Sequence, residues 1–179
     1  MQSSSDQVAH KGRFFEAEEK FTQQGILDLL AAGRGEMADW LPGRAPVSDI
    51  AAMLVAMANA HGGTLLLGVA PRSDRPAGVD DADNAINCVL EAALSIEPPL
   101  IIPMPQLVQV RGSPMGVIQV PRGMPYVYAL AGRFLRRTGT VNAAMTPADL
   151  RRLMLERGDV TFEAEPARNA RRTDLDWGQ

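Results

Sequence analysis

Four sets of residues carry the chemistry this sequence could perform: a glycine pair, two histidines, a few carboxylates and a run of arginines. The glycines stand in "MANAHGGTLLLGV" (57–69), between a helical pattern and an apolar run. A phosphate-cradling glycine loop follows a strand and opens a helix, so that amides at the helix N-terminus face the anion. A lipase-type His-Gly-Gly oxyanion loop also follows a strand. Here the helix comes first, so Gly62 and Gly63 are expected to end it and admit a tight entry into a buried strand. His10, His61 and Cys88 lack ligand spacing, so no metal site of the usual kinds is expected, and no nucleophile–histidine pair is evident. Asn59, near the helix end, is expected to tie backbone groups, with ligand contact as the alternative. Glu36 and Asp39 precede Trp40. On a strand their odd spacing puts them on opposite faces, whereas in a turn they converge, as acid–base or metal chemistry requires.

The arginines are unevenly placed. The 179-residue chain has a net charge of −3. Between 111 and 157, eight arginines face only Asp149 and Glu156, a balance of +6, and the rest of the chain carries −9. Lys11 and Lys20 are the only lysines. A guanidinium holds a phosphate in a bidentate fork, whereas a lysine acts as a point charge. The competing reading is a solvated basic surface.

These residues need a scaffold, and the length suits one domain. With 46% hydrophobic residues a core can form. No run reaches the length of a membrane helix, and the N-terminus lacks a signal-peptide core, so a cytoplasmic protein is expected. The single cysteine excludes an internal disulfide. Residues 1–20 read as a loose arm, 21–163 as the domain and 164–179 as a tail. Helices are expected at 22–33, 46–63 (ended by the glycine pair), 80–95 with Asp80 or Asp81 as cap, and 146–158. The last is marked by Thr146, Pro147, Asp149 and the stop residue Gly158. Strands are expected at 36–41 and 64–70, the latter apolar as in a strand buried on both faces. Hairpins are expected at 105–121, turning at Gly112–Pro114, and at 126–139, turning near Ala131–Gly132. A short strand is expected at 160–163.

The stretches "LLAAGRGEMADWLP", "LVAMANAHGGTLLLGV" and "MPYVYALAGRFLRRTGT", in this order, resemble the Schlafen AlbA-like domain family, described as DNA-binding domains. The family pattern is a glutamate before a Glu-Phe-Lys-like triplet, then Ala-Asn-x-x-Gly-Gly, Gly-Val, a Pro-Tyr-like pair and Arg-x-Gly-Ser/Thr. These fall on Glu36, Asp39–Leu41, Ala58–Gly63, Gly68–Val69, Pro125–Tyr126 and Arg137–Thr140. The resemblance spans about 22–158. It implies an α/β (α+β) domain, a compact mixed β-sheet with flanking helices, to which the residue pattern adds the two C-terminal hairpins. It makes Asn59, Gly62, Gly63 and Gly68 structural motif residues. It also implies nucleic-acid binding for many members, and ribonuclease activity for members with three clustered acids. This sequence departs there: Asp39 replaces a glutamate, Leu41 or Pro42 replaces the lysine, and Ala70–Pro71 follows Gly-Val, with Asp74 the nearest acid.

The expected function is therefore a nucleic-acid-binding or regulatory domain without enzymatic activity, its partner DNA rather than RNA. Arg133, Arg136, Arg137, Arg151 and Arg152 are expected to meet phosphates. On a strand Arg133 and Arg137 share a face, so they are expected to form one patch extended by Arg151 or Arg152. No cofactor, metal or membrane contact is expected. One alternative is a degenerate metal-dependent endoribonuclease using Glu36, Asp39 and Asp74, which are not expected to converge on one metal. Another is a protein-interaction or homo-oligomerisation module.

Overall fold

The computed structural model describes residues 21–123 and 125–158. The arm at 1–20, the strand expected at 160–163 and the tail lie outside them. The elements in chain order are α1 (Gln23–Ala32), β1 (Ala38–Leu41), α2 (Val47–Ala58), β2 (Gly63–Leu67), α3 (Ala82–Leu94), β3 (Gln106–Val110), β4 (Ser113–Val120), β5 (Leu135–Thr138), β6 (Val141–Ala144) and α4 (Pro147–Arg157). The architecture is α+β, as the sequence predicts.

Four strands form a mixed sheet in the order β1-β2-β4-β3. β1 and β2 run parallel, as a connection through a helix permits, and β4 is antiparallel to both β2 and β3. One sheet face packs Leu65, Leu67, Ile118 and Val120 against α2 and α3. The other packs Trp40, Leu66, Met115 and Val117 against Ile26 of α1. α2 is apolar nearly all round and buried from Met53 to Ala58, as a helix enclosed on several sides must be. It contacts the sheet, α3 and the separate β5–β6 hairpin.

Strand β2 is interior, in keeping with its continuous apolar run, but it ends at Leu67 rather than Ala70. Gly68 turns the chain there, and its carbonyl accepts from the amides of Ala77 and Gly78 at 2.8 Å each. Strand β1 starts at Ala38, which leaves Glu36 in the preceding bend.

The first hairpin turns at other residues than expected, and the second ladder forms beyond the expected turn. The β3–β4 turn is Arg111–Gly112, with φ of 51° and 82°, the primed geometry that matches strand twist. Pro114 already lies in β4, opposite Gln109. In the second hairpin Ala131–Gly132 does form a tight turn, closed by the Leu130–Arg133 pair, but no ladder grows from it. The preceding segment is already committed. Ala129 exchanges both backbone hydrogen bonds with Glu97, and the amide and carbonyl of Tyr128 are taken by Asn59. Residues 135–138 pair instead with 141–144.

The glycine pair ends α2 and starts β2. Gly62 has φ 75°, and its amide donates to the Met57 carbonyl at 2.9 Å. A Cβ on Gly62 would sit 2.5 Å from the Val120 carbonyl oxygen, and one on Gly63 would meet the Met37 carbonyl. The two glycines therefore let the turn lie directly on neighbouring backbone. Gly62→Val is expected to destabilise the protein by about 2 kcal/mol, combining left-handed strain with displacement of 120–122. A urea melt of this variant gives the value, and an unchanged midpoint would refute the account.

Candidate nucleic-acid interface

The motif residues of β1 and β5 meet in a buried polar cluster. Asp39 and Arg137 are each 2% exposed. One carboxylate oxygen of Asp39 accepts from Arg34 Nη1 at 2.8 Å and from the Trp40 amide at 2.7 Å. The other accepts from Arg137 Nη2. Arg137 also donates from Nε to the Gly35 carbonyl at 3.1 Å and from Nη1 to Asn142 Oδ1 at 2.9 Å. The expectation that Arg137 joins Arg133 in an outward patch is thus corrected. Leu135 enters the core against α2, and strand alternation carries Arg137 inward with it. Arg133 lies before β5, at the end of the Ala131–Gly132 turn.

The three acids do not form one constellation. Arg34 stands between Asp39 and Asp74, with Nη2 3.3 Å from Asp74 Oδ1 and its guanidinium 4.8 Å from the centre of the Trp40 ring. Trp40 Nε1 donates to Asp74 at 2.7 Å. That indole bond, followed by Arg34, holds the Asp74 carboxyl below the usual carboxylate range. Glu36 belongs to a different neighbourhood. Its Oε1 accepts from the Gly139 amide at 3.1 Å, and its Oε2 lies 3.8 Å from His61 Nε2. Among the described residues no three His, Cys, Asp or Glu side chains are grouped to hold a metal.

Asn59 is fully buried at the end of α2. Its Nδ2 donates to the carbonyls of Tyr128 at 2.7 Å and Leu135 at 2.8 Å, and its Oδ1 accepts from the Tyr128 amide at 2.9 Å. All three bonds go to backbone, in segments far along the chain rather than in the loop that follows it.

Apart from Arg111 in the β3–β4 turn, the arginines of the basic segment divide into two groups. Arg137 and Arg157 are buried and bonded. Arg157, at the end of α4, donates to the Tyr126 carbonyl and, at 2.8 Å, to the Ala58 carbonyl. Its Nε has no partner among the described residues. Burial, with Arg122 and Arg136 nearby, pushes it below the ordinary arginine value. This inward role escaped the sequence reading, although a cation in the last turn before Gly158 was visible. Arg122, Arg133, Arg151 and Arg152 are exposed and Arg136 is half-buried. None of these five forms an ion pair within 4.0 Å among the described residues. Arg136 on β5 and Arg152 on α4 converge electrostatically on Asp149. The Thr146 hydroxyl is the main cause of that carboxyl's lowered pKa, and the two arginines add to it.

The molecule is thus an α+β domain whose mixed sheet and central helix support an arginine-rich hairpin and helix. Residues 36–146 match the model of the Schlafen, AlbA_2 family, and the chain belongs to that family. No curated protein matches it. Among solved structures, it is similar to the N-terminal domain of an ATP-dependent DNA helicase RecG-related protein from Nitrosomonas europaea. That similarity has a TM-score of 0.54 at 22% identity and covers 71% of this chain and 93% of that domain. It is also similar to the DIP2311 protein of Corynebacterium diphtheriae, with a TM-score of 0.54 at 15% identity. That match covers 74% of this chain, which spans 28% of the length of DIP2311. Among the described residues no helix is long and apolar enough to cross a membrane.

Proposed function

We propose that this domain binds nucleic acid through Arg133, Arg136, Arg151 and Arg152, with Arg122 beside them. The observation that carries this reading is the division among the arginines. Those that hold the fold together are buried and bonded, while these five have no acid within ion-pair distance among the described residues. A guanidinium left without an internal partner is available to a phosphate. Family membership and the likeness to a RecG-related domain support the same reading. Binding rather than cleavage is proposed because both oxygens of Asp39 are held by guanidinium groups, leaving that acid committed to the fold.

The test is a titration against single- and double-stranded DNA and RNA at several salt concentrations. Each phosphate-contacting arginine replaced by alanine is expected to lower the log–log salt slope by about 0.7–0.9 and to weaken all sequences alike. Thermal stability is expected to change little, because these side chains make no hydrogen bond or ion pair among the described residues and only add to the field at Asp149. Lost stability with unchanged affinity would assign the arginines to the fold. Absence of binding at low salt would pass the function to the protein-interaction reading. DNA is the expected partner over RNA.

A further inference from the structure

Between the bend before β1, the turn after α2, the β5–β6 hairpin and α4 lies an open pocket of about 290 Å3. Glu36, His61, Arg136, Thr138, Met145 and Asp149 line it. Its two carboxylates are already engaged. Glu36 Oε1 accepts from the Gly139 amide, and Asp149 Oδ2 accepts from the Thr146 hydroxyl at 2.6 Å. Of its cationic groups Arg137 is engaged too, by Asp39, whereas Arg136 and His61 make no side-chain hydrogen bond among the described residues. Arg136 has no hydrogen-bond or ion-pair partner among the described residues, and the only ionic neighbour of His61 there is Glu36, at 3.8 Å. Glu36 is bonded to the β5–β6 turn through Oε1, and its Oε2 lies beside the half-exposed imidazole.

We infer that this pocket is a subsite for one phosphodiester group of the bound nucleic acid, held by Arg136 together with His61 in its protonated form. The inference rests on the nucleic-acid reading above and adds a contact that reading does not contain. Only the imidazolium form carries the charge that a phosphodiester meets, so the contact is lost when the ring gives up its proton. The charged groups that line the pocket with His61 are Glu36 before β1, Arg136 and Arg137 on β5 and Asp149 on α4. The turn itself is held firmly, because Gly62 packs on the backbone of 120–122. The imidazole is therefore presented from a rigid support.

The experiment measures the salt slope at about pH 5.5 and about pH 8, using the full chain and the tightest binder among the four nucleic-acid probes. For the wild type the slope is expected to be steeper at the lower pH by about 0.7–0.9, the increment for one phosphate contact. His61→Gln is expected to abolish that difference while keeping the slope at pH 8. This loss corresponds to about threefold in affinity between 50 and 200 mM salt at the lower pH. His61→Lys is expected to keep the steeper slope at both pH values. His10 is present in all three proteins, so it cannot account for a difference between them. Binding at pH 8 with no pH-dependent change in slope would overturn this inference and leave the parent reading intact. So would a pH-dependent change that survives in His61→Gln. Absence of binding at either pH would overturn both.

Discussion

Asp39→Ala is expected to lower the unfolding free energy by about 3–5 kcal/mol, the usual cost of leaving a buried charge without its partner. The charge at risk is Arg137, 2% exposed and facing Asp39 across the contact between the sheet and the β5–β6 hairpin. Once the carboxylate is gone, the guanidinium keeps the Gly35 carbonyl, Asn142 Oδ1 and the Met53 sulfur, all neutral acceptors. The Trp40 amide loses its acceptor as well. For a chain of this size the loss corresponds to a fall of roughly 10 °C in melting temperature.

The converse substitution is gentler. Arg137→Met leaves Asp39 with Arg34 and the Trp40 amide, two of its three donors. The double variant Asp39→Leu/Arg137→Met is expected to be more stable than Asp39→Ala, because a buried ion pair replaced by apolar groups of similar volume is often neutral. Arg34 tolerates the change, since it is one-third exposed and retains Asp74 and the Trp40 ring. Urea denaturation of Asp39→Leu, Arg137→Met and the double variant closes the cycle that measures the coupling. A cost below about 1 kcal/mol for Asp39→Ala would show that the cluster contributes little to the fold.

How much of this was visible in the sequence depends on how local the determinant is. The last helix was legible in full. Thr146 caps it through the Asp149 amide, Pro147 takes its first position, and Gly158 stops it with φ 72°. Each of these choices acts within one turn. The Gly62–Gly63 turn was legible for the same reason. The direction of Arg137 was misread although a signal existed. In "FLRRT" the period-2 pattern that sends Leu135 inward sends Arg137 with it. What the pattern lacks is the partner, since Asp39 lies 98 residues away. The second hairpin was misplaced through a competition invisible to local patterns, because Asn59 and Glu97 claim residues 128–129 before any ladder can form beyond Ala131–Gly132. Of the candidate interface, the arginine-rich segment was legible as a charge imbalance. The sorting of its members into buried and outward groups needed the fold.

Asn59→Ala is expected to cost about 3 kcal/mol or more. The side chain is fully buried and serves three backbone groups that no water can reach in its place. Its removal leaves the Tyr128 amide without an acceptor and the Tyr128 and Leu135 carbonyls without a donor. Each stranded group costs about 1–3 kcal/mol, and the three together exceed the cavity left by the amide. The loss also unties the segment before β5 from the end of α2, so it reaches the hairpin that carries Arg136. Asn59→Asp separates the hydrogen-bond account from mere loss of volume. Its carboxylate has nearly the same shape and accepts from the Tyr128 amide, but it presents negative oxygen to two carbonyl oxygens. The ionised form is therefore disfavoured in the folded state, and the folded pKa of the new carboxyl rises above its unfolded value near 3.9. A group with a raised folded pKa contributes stability below its unfolded pKa and loses it as pH climbs through the folded one. Asn59→Asp is thus expected to be least stable at neutral pH and to recover relative to wild type as the pH falls toward about 4. Urea melts of both variants and the wild type across that range provide the measurement. A constant deficit for Asn59→Asp at every pH would place the Asn59 contribution in packing rather than in its three hydrogen bonds.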